Sequence, residues 1–119
     1  MANQTLSKYI VKAEDIDSTN LGTGDWDITF YRQFNMVICI YYLDTTGWNT
    51  YEHTVMYDDT IPTAFRPSSD IKQNAINSES SIAHCLISIK SNGGMKLQLG
   101  NTTNSDIKFY GSISYIIEE

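Results

Sequence analysis

Trp26-Asp27-Ile28-Thr29-Phe30-Tyr31-Arg32, followed after Gln33-Phe34-Asn35 by Met36-Val37-Ile38-Cys39-Ile40-Tyr41-Tyr42-Leu43, is the stretch that decides the fold. Its first half alternates. Trp26, Ile28 and Phe30 point one way and Asp27, Thr29 and Tyr31 the other, the period of a half-buried strand. Its second half is apolar at every position, which marks a central strand covered on both faces. In the link, Asn35 tolerates the left-handed conformation of a turn.

Outward from this pair the pattern repeats. Strand-like runs are expected at 6–13, 50–57, 71–76, 81–90, 95–99 and 107–117. The run 95–99 places Met95, Leu97 and Leu99 on one face. The run 107–117 does the same with Ile107, Phe109, Ile113, Tyr115 and Ile117. Ser91-Asn92-Gly93-Gly94 carries the Asn-Gly signature of a tight hairpin turn. Ile61-Pro62-Thr63-Ala64-Phe65-Arg66-Pro67 holds both prolines of the chain. Proline disfavours a central ladder, so an ordered crossing loop is expected there. The 15 Ile, 12 Thr and 8 Tyr suit pleated sheets, and no sustained helical stripe competes with them. About eight strands, with turn signals every eight to twelve residues, read as an all-β antiparallel sandwich or barrel.

The 119 residues suffice for one domain, and 41% apolar against 18% charged residues is a globular balance. The longest apolar run, Met36 to Leu43, falls well short of the roughly 20 residues of a membrane helix, so no membrane insertion is expected. The Met-Ala-Asn-Gln-Thr start lacks the basic and apolar regions of a signal peptide. The net charge is -6, and the eight cations stand singly along the sequence. Nucleic acid and anionic membranes are therefore poor partners. Cys39 and Cys85 sit in apolar runs, as buried free thiols or as a single core disulfide.

Catalytic and metal chemistry has little to stand on. His53 and His84 fall on different runs, without partners at ligand spacing. Asp15, Asp17 and Thr19 echo a calcium loop, but Asn20 and Trp26 occupy the places of its turn glycine and its closing glutamate. The pairs Asp25/Asp27 and Asp58/Asp59 could suggest glycosidase work, with nothing readable to tune them. No catalytic residue, metal ligand or cofactor is assigned, and no enzyme is expected. The aromatic residues remain. Trp26 alternates with core positions. Trp48, in the turn after Asp44, and Tyr51 beside it are the candidates for contact with a ligand.

From Trp26 to Pro67 the sequence resembles a module of bacteriophage tail fibres and receptor-binding proteins. The likeness rests on Phe30-Tyr31-Arg32, a turn, the apolar strand from Met36, and the loop Ile61-Pro62-Thr63-Ala64-Phe65-Arg66-Pro67. It continues through Ile87-Ser88-Ile89, Ser91-Asn92-Gly93-Gly94 and Ser112-Ile113-Ser114-Tyr115, covering roughly residues 25–117. The resemblance implies a β-sandwich or jelly-roll head, residues 25–119, behind a strand or connector, 1–24. It implies a homotrimer at a virion tail, contacts with other tail proteins, and attachment to host-surface polysaccharide or protein. Pro62, Phe65, Arg66 and Pro67 then form a structural loop, with Arg66 pinning it by hydrogen bonds. A purely structural tail or baseplate module, or a monomeric carbohydrate-binding module, are the alternatives.

Overall fold

The computed structural model describes residues 6–17, 25–44, 52–77, 84–100 and 108–117. Among them are eight strands: β1 (Ser7–Ile10), β2 (Trp26–Gln33), β3 (Met36–Asp44), β4 (Glu52–Met56), β5 (Ile71–Asn77), β6 (His84–Ile89), β7 (Met95–Gly100) and β8 (Lys108–Ile116). All pairings are antiparallel, in the order β1-β2-β3-β8-β5-β6-β7-β4. The all-β antiparallel sandwich expected from the sequence is what the chain forms.

β5 makes the corner. Its first five residues pair with β6, and its last two, Ile76 and Asn77, pair with β8. A strand that changes sheets in this way folds one continuous ladder into two layers. Sheet A is β1-β2-β3-β8 and sheet B is β5-β6-β7-β4. Within sheet B, β4 returns beside β7 in a Greek-key connection.

The core lies between the layers. Sheet A contributes Ile28, Phe30, Val37, Cys39, Leu43, Phe109 and Ile113; sheet B contributes Ile87, Ile89, Met95, Leu97, Val55 and Met56. Consecutive residues Val55 and Met56 can both face inward because the β4–β7 register shifts there. Gly111 occupies an inward position opposite Tyr41, at φ +155°, and a β-carbon on it would lie 2.8 Å from the Tyr41 hydroxyl. The glycine makes room for the ring. Trp26 is partly buried against this core.

The first segment belongs to the same body. β1 pairs with β2, and Val11 and Ile16 are buried in the core. The Val11 amide donates to Ile28 O at 3.0 Å and the Asp17 amide to Val55 O at 2.9 Å. Residues 11–17 thus tie the edge of sheet A to the edge of sheet B.

Three expectations need correction. β3 is central in its sheet, but among the described residues its inward face alone is fully buried; Ile38 and Tyr42 are half-buried and Met36 and Ile40 exposed on the other. In the β2–β3 turn the left-handed residue is Phe34, at φ 55°, rather than Asn35. Gln33 pairs with Met36, so the loop has two residues, and such loops can set positive φ at the first of them. The β6–β7 hairpin is also not a two-residue turn. The Gly93 amide donates to Lys90 O at 3.0 Å, and Lys90 N to Gly94 O at 2.9 Å. That is a three-residue loop closed by left-handed Gly93, at φ 91°.

Candidate functional site

The end of β2, the Pro62–Pro67 loop, the Asn92-Gly93 hairpin and Tyr115 meet at one end of the sandwich. Thr63–Phe65 form a single 3-10 turn after Pro62. Phe65 is buried from it against Tyr9 and Phe30, with ring centroids 6.1 and 6.5 Å away. Its carbonyl accepts the hydroxyl of Tyr115 from β8. Arg32 at the end of β2 donates from Nε to Phe34 O at 2.6 Å and from Nη1 to Ala64 O at 2.7 Å. One side chain therefore fixes both the strained turn and the proline loop.

Arg66 performs the matching task on the other side. Its Nε donates to Ile61 O at 2.6 Å, and its guanidinium lies against Gly93. Asp59 is 3.6 Å from that guanidinium, a pair too exposed to add much. The loop and the hairpin also share backbone bonds, Asp59 N to Asn92 O at 2.8 Å and Ile61 N to Gly93 O at 2.9 Å. The Ile117 amide completes the end by donating to Asn35 O at 2.7 Å. Pro62, Phe65 and Arg66 thus belong to one hydrogen-bonded lock at this end of the sandwich. Burial pushes the Tyr115 phenol well above the usual tyrosine range, aided by Cys39 nearby, so its hydroxyl stays a donor.

A second polar constellation lies on the outward face of sheet B. Register sets Lys72 of β5, Ser88 of β6 and Lys96 of β7 in one row, with Thr54 of β4 at its end. Neighbouring strands are about 4.8 Å apart, so two lysines flank one hydroxyl. Lys90, Asp70 and Gln98 join them around an open cleft of about 230 Å³. Lys90 Nζ is 3.5 Å from the Asp58 carboxylate, and a shallow depression continues past Tyr57. Asp70 accepts the Ser91 amide at 2.8 Å. That hydrogen bond, helped by Lys90 and Lys72, holds its carboxyl below the usual range. Asp70 is accordingly a fixed acceptor rather than a proton donor.

Sequence order hid this cleft. The cations stand singly along the chain, but the fold gathers three lysines on one face. Among the described residues two carboxylates, Asp58 and Asp70, are interleaved with them. Such a surface offers ammonium and hydroxyl donors beside fixed acceptors, the polar complement of a hydrated ligand rich in hydroxyls. The β6–β7 hairpin register alone would have placed Ser88 opposite Lys96; placing Lys72 needs the nonlocal β5–β6 register.

The other candidates fare differently. Trp48 and Tyr51 lie outside the described residues, as does Thr19. Asp15 accepts the Lys12 amide at 3.0 Å, which occupies it locally. His53 and His84 fall on β4 and β6, on either side of β7, and their side chains are outside those described, as is that of Cys85. Cys39 is a free, buried thiol. Among the described residues no three His, Cys, Asp or Glu side chains are placed to hold a metal ion. No family model matches the chain, and no curated protein matches it.

Proposed function

We propose that this chain is the head module of a bacteriophage or prophage tail fibre or receptor-binding protein, attaching as a homotrimer to host-surface polysaccharide or protein. The observation that carries the reading is the lock at one end of the sandwich. The separate pieces of the resemblance, Arg32, the Pro62–Pro67 loop, Asn92-Gly93 and Tyr115, contact one another there. A likeness spread over some eighty residues thus corresponds to a single structural unit.

The lysine cleft favours a receptor-binding head over a purely structural tail module. A shallow groove with alternating donors and acceptors suits a polysaccharide, and repetition around a symmetry axis compensates for weak single sites. Titration with soluble bacterial cell-wall polysaccharides, followed by amide NMR, tests the reading. Shifts centred on Ser88, Lys96 and Thr54 are expected. The absence of shifts with every polysaccharide, together with no attachment to whole cells, would leave the structural module as the better account.

A further inference from the structure

We infer that the outward face of sheet A is the surface on which copies of this chain pack against one another, an inference that rests on the assembly part of the reading above. β3 supplies Met36, Ile38, Ile40 and Tyr42 to this face, and β8 adds Tyr110 and Ile116. Register welds them into one patch. Met36 is opposite Ile116, Tyr42 opposite Tyr110, and Ile40 opposite Thr29, beyond which lies Ile10. Met36 and Ile40 are 47% and 49% exposed although they sit on the most apolar strand of the chain, and Ile116 beside them on β8 is 64% exposed.

Two arguments name the occupant. The first is size. Four strands about 4.8 Å apart, four to nine residues long at about 3.3 Å each, present a flat area of about 500 Å². Side chains standing off the sheet enlarge that toward the roughly 800 Å² per partner of a stable interface. The second is charge. The whole chain carries -6, so two copies repel through most orientations. On this face the described charged residues are Lys8 and Lys108 against Asp27 and Asp44, two of each sign and all at its margins. A copy meeting a copy here buries apolar side chains without net repulsion, and the mixed rim can pair across the contact. Ser112 and Ser114, opposite Ile40 and Ile38, are small enough to let a neighbouring side chain settle between the strands.

Light scattering coupled to size exclusion tests this with the wild-type chain, Ile40→Asp, and Gln98→Asp on the opposite face as control. The expected result is a trimer for wild type and the control, and a monomer with an unchanged circular-dichroism spectrum for Ile40→Asp. A wild-type monomer at 0.1 mM (about a hundred times a micromolar dissociation constant), or a folded Ile40→Asp trimer, would overturn the inference. Tyrosine nitration of the wild-type protein gives a reading that does not depend on a variant folding. Tyr110 should react at least about tenfold more slowly than Tyr57, as expected for a group desolvated in an interface core, although both rings are exposed in the single chain. Equal reactivity would count against the interface. A trimer held through this face that attaches to no cell would sink the receptor reading and leave the interface standing; a cell-binding monomer would do the reverse.

Discussion

A β-carbon on Gly93 would lie 2.7 Å from Nε of Arg66. That nitrogen is already committed to the Ile61 carbonyl, so the guanidinium cannot withdraw without losing a hydrogen bond. Gly93 is also left-handed, at φ 91°. Gly93→Ala therefore meets two penalties, about 1–2 kcal/mol for the backbone and at least about 1 kcal/mol for overpacking. Thermal unfolding should fall by about 8 °C or more. In the double variant with Arg66→Ala the clash is gone, so the two losses should sum to less than their separate values. Strict additivity would mean that the two residues do not touch.

Tyr115 joins β8 to the proline loop through the Phe65 carbonyl. Tyr115→Phe keeps the ring and removes the donor, leaving a buried carbonyl unsatisfied. The expected loss is about 1–3 kcal/mol in urea unfolding with an unchanged m-value. A neutral result would show that the loop is held without that bond.

Phe34 carries positive φ on a bulky side chain that is 68% exposed. Little packing offsets the strain. Phe34→Gly should stabilise the chain by up to about 1 kcal/mol, the left-handed penalty less the entropy of glycine. Chemical denaturation of the pair of proteins measures it, and a loss above about 1 kcal/mol would show that the ring has packing value.

Burial pushes the Cys39 thiol up from 9.0 to about 12. A thiol ionises more readily in the unfolded chain than in this core. The sign follows: its contribution is intact below pH 9 and is lost as pH rises from there toward 12. The urea midpoint of the wild type should fall over that alkaline range, and that of Cys39→Ala should fall less. Parallel curves would remove Cys39 from the explanation.

Most strands were legible because alternation and turn residues agree with each other. Trp26-Ile28-Phe30 faces the core as its spacing says, and Phe109, Ile113 and Tyr115 do the same. The errors arose where a neighbour decides. Asn35 has the better intrinsic turn propensity, yet the Gln33–Met36 pairing assigns the left-handed position to Phe34. The two apolar faces of Met36–Leu43 were visible; that Met36 and Ile40 stay exposed was not, because an apolar residue reads the same in sequence whichever face of the sheet is covered. The two prolines marked an ordered loop at 61–67, and nothing in the sequence marked the lysine cleft. Arg66 and Ile61 are close in sequence, whereas Lys72, Ser88 and Lys96 meet only through the pairing of three strands.

Co-sedimentation of the wild-type chain and Ile40→Asp with a panel of purified bacterial cell walls tests the trimeric, receptor-binding account most directly. Saturable retention of the wild type on a subset of walls is predicted, displaced by the matching soluble polysaccharide. Retention of Ile40→Asp should be at least about tenfold weaker, because each copy then binds alone. Wild-type protein left in the supernatant with every wall, or equal retention of the two proteins, would contradict it.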